Sequence, residues 1–332
     1  MRNYWKEAKQ WLYIVKVIQM SIKVNEIKVK SILNKTNVPI GDYAVNPYVG
    51  CAHGCKYCYA SFMKRFTNHK EPWGEFVDVK FWEPIKNPSK YDGKVLMFGT
   101  VTDPYQPLES KYKRMRVLLE ELKGSDIKLT ISTRSDLILR DLDLIKTFKN
   151  ARVSFSINTL DEEFKKDMDK GASIERRLNA MKELYKNGIY TSCFISPIFP
   201  EITDVKKIIS KSKKFCNFVW LENLNLRGDY KARILKYIKT KYPKLTSLYE
   251  DIYNNGDRTY WEALNKELKK YAKEENMLYV RDDDSKWADF GKPPVIVNYF
   301  YHEEVRQSAK KKWILNKYEM QHWNKSDGVL KP

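Results

Sequence analysis

Between residues 95 and 223 short apolar runs alternate with stretches of helical period, and this rhythm restricts the fold more than any other feature. Val95-Leu-Met-Phe98 reads as a buried strand, and Met115, Leu118, Leu119 and Leu122 then fall on one helix face. Ile127 to Ile131 is the next strand and Leu137 to Phe148 the next helix. Arg152 to Ile157 follows, then a helix with Ile174, Leu178, Met181 and Leu184 at helical spacing, stopped by Gly188. Ile189 to Ile195 and Phe218 to Leu221 flank a further helix around Asp204 to Lys214. With a strand around Tyr43 to Tyr48, six strands alternate with helices. Such repetition requires parallel pairing through right-handed crossovers, so the fold class is α/β. A barrel, whose chemistry sits at the C-terminal ends of its strands, and an open doubly wound sheet both satisfy the pattern.

The loop after the first strand is Cys51-Ala-His-Gly-Cys55-Lys-Tyr-Cys58, which in a barrel lies at the mouth. Its C-x3-C-x2-C spacing supplies three thiolates from one short segment. A cubane iron–sulfur cluster has four irons, so three protein ligands leave one iron open to a substrate or cofactor. Cys193 and Cys216, the remaining cysteines, read as buried apolar side chains. The competing metal is zinc, with His53 or His69 as fourth ligand. Zinc fingers usually bring two ligand pairs, and a second pair is missing here.

The chain carries 61 basic and 42 acidic residues over 332 positions, a net charge of +19 that steers it toward polyanions such as nucleic acid. Many lysines sit beside acids, as in Lys182-Glu183 and Glu267-Leu-Lys-Lys270, so a lysine-rich surface without a nucleic-acid partner fits equally. Five cysteines, unevenly placed, exclude a disulfide scaffold and indicate a reducing compartment, with the cytoplasm as the expected location. No apolar run approaches a membrane span, so no membrane association is expected. Trp11 to Val15 is interrupted by Lys16 and lacks a small-residue cleavage site, so a signal peptide is not expected. Residues 1–39 read as an extension and lead-in, with 1–19 lying upstream of Met20, and residues 40–228 as the barrel. Residues 229–332 read as an α+β extension covering its open side. In that extension Trp261, Leu264, Leu268 and Tyr271 mark a helix, and Met277 to Val280 and Val295 to Phe300 two more strands. Glu303 to Leu315 is expected to be a terminal helix, followed by a polar tail from Lys317.

With Tyr57 directly before its last cysteine, the loop resembles the signature of the radical S-adenosylmethionine (SAM) superfamily. Asn46-Pro-Tyr-Val-Gly50, Cys58-Tyr-Ala60, Thr102-Asp-Pro-Tyr-Gln-Pro-Leu-Glu109 and Ile131-Ser-Thr-Arg-Ser135 resemble the branch containing spore photoproduct lyase and the DNA repair photolyase relatives. The resemblance covers residues 40 to 228 and implies a partial (β/α)6 TIM-type barrel. It implies a [4Fe–4S] cluster on Cys51, Cys55 and Cys58, with SAM on the open iron. It also implies reductive cleavage of SAM to a 5′-deoxyadenosyl radical that abstracts hydrogen from a substrate, with DNA or RNA a candidate. The electron would come from an external donor of the flavodoxin or ferredoxin type.

The same resemblance assigns cofactor contacts to Tyr57 as an aromatic wall, to Gly99 and Thr102 near the methionyl amine, and to Arg134 near the carboxylate. Ser156 falls at a ribose position, and Ser196 and Ile198 lie in the segment that packs on adenine. Plainer readings stand beside these: Thr102 as a cap or turn residue, Arg134 as a solvated loop arginine, Tyr59 as core. Period two on the fourth strand puts Ser154, Ser156 and Asn158 on one face, toward the barrel interior. Arg176 or Arg177 reads as a carboxylate ligand or a surface ion pair, and Glu222 and Asn223 as interior polar groups. Tyr57 and Tyr59 match the lyase's hydrogen-relaying tyrosines. Thr100 falls where the lyase carries its hydrogen-donor cysteine, and a threonine O–H bond is too strong for that role, so thymine-dimer repair is not expected. A second reading is a non-catalytic nucleic-acid binder whose loop holds zinc or a cluster structurally. Trp261, Trp287, Tyr299, Phe300 and Tyr301 would then stack bases, although their spacing suits core packing as well.

Overall fold

The apolar runs of the central rhythm are buried strands, laid side by side in sequence order. The computed structural model describes residues 22–38, 41–281 and 294–301. Its strands are β1 (Lys23–Lys28), β2 (Leu33–Lys35), β3 (Tyr43–Val45), β4 (Tyr48–Val49), β5 (Phe76–Phe81) and β6 (Val95–Phe98). They continue with β7 (Lys128–Thr133), β8 (Asn150–Ser156), β9 (Tyr190–Ile198), β10 (Phe218–Asn223), β11 (Leu278–Arg281) and β12 (Val295–Asn298). The helices are α1 (Glu109–Tyr112), α2 (Arg114–Leu122), α3 (Leu142–Ile145), α4 (Glu162–Met168) and α5 (Ile174–Lys186). They are followed by α6 (Val205–Ser212), α7 (Gly228–Lys241), α8 (Thr246–Tyr253) and α9 (Thr259–Glu274).

The main sheet runs β11-β12-β10-β9-β8-β7-β6-β3-β2, parallel throughout except for the antiparallel edge pair β2–β3. The six expected strands are its contiguous block β3 and β6 to β10. The end strands β2 and β11 do not pair with each other, which makes the barrel partial. On one face Leu119, Ile131, Phe155, Met181, Ile195 and Ile209 form the core between strands and helices. On the other face Ser132, Ser154 and Ser192 lie level across β7, β8 and β9. This is the polar interior that period two anticipates for β8.

Three elements differ from the sequence reading. The strand expected at 43–48 is broken: Pro47 has no amide to donate, Asn46 turns its side chain to Thr100, and β4 enters a separate sheet of order β1-β5-β4. The helix expected at Leu137–Phe148 is a 3₁₀ turn over Asp136–Asp141 followed by the single turn α3. There Ser135 accepts from the Leu137 amide at 3.2 Å, and Arg140 and Asp141 pair with each other and with Glu109 and Arg116. Beyond residue 229 the chain does form α7, α8 and α9, but β12 and β11 continue the main sheet in parallel beside β10. The helix expected at 303–315, the tail, Trp287 and residues 1–19 lie outside the described residues. No helix among the described residues is long and apolar enough to cross a membrane.

The small sheet buttresses the cysteine loop through a glycine contact. Gly74 has φ +100°, and a β-carbon there would lie 2.8 Å from the α-carbon of Gly54. Gly74→Ala is therefore expected to cost about 2–4 kcal/mol by combining backbone strain with overlap. Gly93, at φ +70° with open space around it, supplies the control: Gly93→Ala carries the strain alone, about 1–3 kcal/mol. Urea unfolding midpoints of the two variants check the difference.

Candidate active site

The cysteine loop is fixed by backbone groups on three sides. The Gly50 carbonyl accepts from Thr102 Oγ1 at 2.6 Å, and Gln106 Oε1 accepts from the Ala52 amide at 2.8 Å. Within the loop the Gly54 amide donates to Cys51 O at 3.1 Å and the Cys58 amide to Cys55 O at 3.2 Å. The chain just after α4 completes the frame: Lys56 N donates to Met168 O at 2.9 Å, and Lys170 N to His53 O at 2.8 Å. Cys51 and Cys55 are buried and Cys58 is half-buried. Burial pushes all three thiols upward, Cys55 to about 12 even though Arg134 opposes it. Cys51 also feels the negative charge of Asp103 and of the other two sulfurs. The loop thus brings three soft sulfur donors together from one short segment.

Of the two histidines, His69 is engaged at both ring nitrogens, whereas buried His53 faces Asp103 and makes no hydrogen bond through either nitrogen among the described residues. His53 Nε2 stands 3.2 Å from Asp103 Oδ2, and His69 lies between Asp78 at 2.7 Å and Glu71 at 3.1 Å. Among the described residues no three His, Cys, Asp or Glu side chains already converge on a point that could hold a metal.

Asp103 ties the strand ends to the loop. Its carboxylate accepts from Tyr105 N, from Thr133 Oγ1 at 2.8 Å and from Arg134 N at 2.7 Å, besides facing His53. Burial works to raise this carboxyl, but His53 together with the Arg134 and Thr133 donors prevails and holds it below the usual carboxylate range. A second buried carboxylate, Asp169, faces the loop from the α4 side. Arg177 donates to it at 2.5 Å, Gly171 N at 2.8 Å and the Tyr57 phenol at 3.4 Å. Arg177 is itself buried, spanning the Ala172 and Ser156 carbonyls. It is a structural clamp, neither a surface pair nor free to meet a ligand; Arg176 is the one that pairs with Asp136, at 2.7 Å.

A profile of the Radical SAM superfamily matches residues 45–210 of this chain. An uncharacterised protein of Methanocaldococcus jannaschii is 40% identical over 226 residues, covering 67% of this chain and 85% of its own. The chain belongs to the radical SAM superfamily. An uncharacterised Mycobacterium tuberculosis protein is 27% identical over 257 residues, covering 71% of this chain and 75% of its own. A spore photoproduct lyase solved with a dinucleoside spore photoproduct superposes with TM-score 0.48 at 15% identity, covering 67% of this chain and 66% of that one. Members of the superfamily use a [4Fe–4S] cluster and SAM.

In this radical SAM protein the positions assigned by resemblance fall at the carboxyl ends of consecutive strands. Gly99 follows β6 at φ +92°, where a β-carbon would lie 2.5 Å from Ser132 O, so the backbone itself requires glycine. Thr102 is neither a helix cap nor free: its hydroxyl is spent on Gly50 O. Arg134, after β7, is no solvated loop residue; its Nε is buried without a hydrogen bond among the described residues and its guanidinium lies 5.7 Å from the Tyr57 ring centre. Ser156 ends β8, with its carbonyl taken by Arg177. Ser196 Oγ donates to Glu222, while Ile198 is wholly buried in the main core behind the sheet. The segment's inward ring is Phe199, edge-on to Tyr57 at 5.6 Å. Asn223 Oδ1 accepts from Tyr301 N at 2.8 Å.

Tyr59 is not core: it is 60% exposed, with its phenol on the Thr100 carbonyl. The Thr100 hydroxyl accepts from Asn46 Nδ2 at 2.9 Å. Trp261 and Phe300 are buried against each other, as core packing requires. Sequence reasoning missed Asp169 and Gly74, which leave no local pattern, and gave no role to Gln106 although it lies within the Thr102–Glu109 motif.

Proposed function

We propose that Cys51, Cys55 and Cys58 hold a [4Fe–4S] cluster with SAM on its open iron, and that the protein is a radical-generating enzyme acting on nucleic acid. The observation that carries this reading is the loop itself: two buried thiols and a half-buried third, pinned where the strands end. When bound, the cluster and SAM supply reductive cleavage of the sulfonium and abstraction of a substrate hydrogen atom. The protein's part is placement and exclusion of water. Arg134 offers its guanidinium to the SAM carboxylate, Tyr57 walls the cofactor, and the Ser156 hydroxyl faces the ribose. Thr100 offers no thiol hydrogen, so return of hydrogen to a product radical through this position is not part of the reading. A polyanionic substrate suits the net charge of +19.

Anaerobic reconstitution with iron and sulfide tests the proposal. A brown protein that yields 5′-deoxyadenosine from SAM under dithionite supports it; a colourless protein with stoichiometric zinc overturns it. Deuterium passing from labelled DNA or RNA into deoxyadenosine identifies the substrate class. Arg134→Ala is expected to weaken SAM binding about 10- to 100-fold, the worth of one hydrogen-bonded charge pair, with Arg134→Lys recovering part of it. Calorimetric titration of the reconstituted variants with SAM checks this.

A further inference from the structure

We propose that the turn Tyr59–Phe66 and the exposed basic side of α7 form a docking surface for a small acidic protein that carries one electron. Among the described residues the exposed large hydrophobic side chains are Tyr59, Phe62, Phe66 and Tyr185, and three of these four fall within this one turn. Isolated exposed apolar residues are ordinary, but three together with a basic rim mark an interaction site. The Arg65 guanidinium lies over both phenylalanine rings, 5.4 Å from Phe62 and 4.7 Å from Phe66, and Lys64 stands beside it. Clustered aromatics with arginine are the composition of a protein–protein contact centre.

The position of this patch is what specifies the partner. The turn begins at the residue after Cys58, the least buried of the three thiols. On the other flank Arg233 of α7 donates to the Lys56 carbonyl at 3.1 Å, and the Lys56 ammonium sits 5.3 Å from the Tyr237 ring centre. On and beside α7, Arg233, Lys236, Lys239 and Lys244 are exposed, while Lys241 pairs with Asp167 at 3.8 Å and Lys231 donates to Tyr253 O. A basic surface with an aromatic centre thus flanks the cysteine loop, whereas the polar strand ends serve the barrel mouth. Nucleic acid would stack on free rings, yet here Arg65 already covers two of them. Electron-transfer partners meet through small contacts steered by opposite charge, which suits a patch of this size and sign.

The inference rests on the proposed function, which requires one electron per SAM cleaved. The carrier is oxidised by one electron, the cluster is reduced by one, and no atom is transferred.

Two charge-reversal and two apolar substitutions test the surface: Lys64→Glu with Arg65→Glu, and Phe62→Ser with Phe66→Ser. The reconstituted protein is titrated with oxidised flavodoxin by calorimetry at low and high salt. Deoxyadenosine formation is then driven either by dithionite or by reduced flavodoxin. The expected result is a Kd for flavodoxin raised about tenfold or more, with its salt dependence flattened in the charge-reversed variant. Flavodoxin-driven turnover falls in step while the dithionite-driven rate is unchanged. An unaltered Kd overturns the proposal. So does a dithionite-driven rate that falls in parallel, because the turn would then only support the loop. Loss of single-stranded DNA binding by anisotropy, with the flavodoxin Kd intact, assigns the patch to nucleic acid and also overturns it. Wild-type protein that cleaves no SAM under dithionite refutes the functional reading alone, since the flavodoxin Kd is measured without turnover.

Discussion

Alanine at any one of Cys51, Cys55 or Cys58 is expected to remove the brown chromophore and reduce deoxyadenosine formation to the level of the blank. Two sulfurs cannot hold three irons of a cubane, and His69 is engaged at both of its ring nitrogens. His53 faces Asp103 from within the loop, so a His53→Ala partner variant excludes its standing in for a lost cysteine. The fold should survive the change. Cysteine to alanine deletes one heavy atom, and the loop's frame runs through the backbone of Gly50, Ala52, His53 and Lys56, none of which the substitution touches. The loss of stability without cluster should therefore stay within about 1–2 kcal/mol. Cys193→Ala and Cys216→Ala provide the contrast. Both are buried away from the loop, and burial pushes the Cys193 thiol to about 12, so each should keep chromophore and activity. Iron content, absorbance and product analysis on the five variants decide the matter. A triad variant that retains full cluster and turnover would remove that cysteine from the ligand set, and salt-sensitive retention on nucleic acid should persist in all five.

The sequence reads well wherever periodicity reports burial. The polar and apolar faces of β8 follow from alternation alone, because Val153 and Phe155 meet helices while Ser154 and Ser156 line the interior. The existence of β6 to β10 follows from the same signal, whereas their order does not, since a doubly wound sheet satisfies the same pattern. What stays hidden is structure made by side chains bonding across long separations. The 3₁₀ turn at Asp136–Asp141 has a helical apolar pattern, yet ion pairs to Glu109 and Arg116 set its geometry. β1 gives only a faint apolar signal, Val24 and Ile27 among charged neighbours, because its partner β5 supplies the fully buried residues. Of the site, the cysteines and Tyr57 are legible as a local motif. Arg177 as a clamp and Gly74 as a buttress are not, since each acquires its role from a partner it meets only in the folded chain.

The Asp169–Arg177 pair is where such a hidden contact has its largest expected effect. Asp169→Asn should lower stability by about 3–5 kcal/mol, because the Arg177 charge stays buried without its counter-charge. For a chain of this length that is a fall in Tm of about 4–7 °C. Burial acts to raise the Asp169 carboxyl, but Arg177, Arg134 and Lys165 outweigh it and hold the folded value below the usual range. A depressed folded value means the stabilisation is complete above the unfolded carboxylate pKa of about 3.9 and disappears as pH falls through the folded value. The difference between wild type and Asp169→Asn should thus be constant from neutral pH down to about 5 and shrink below about 4. Removing both charges, with Asp169→Leu and Arg177→Met, should restore much of the loss, since neither ion is then left unpaired. A double variant as unstable as the sum of its singles would show that the two residues act independently. Cluster retention provides the link to function. Met168 O and Lys170 N, on either side of Asp169, hold the loop at Lys56 and His53. Loss of the carboxylate charge should therefore hasten bleaching by a chelator in Asp169→Asn, before global unfolding is detectable. Bleaching that follows unfolding alone would confine the pair to stability.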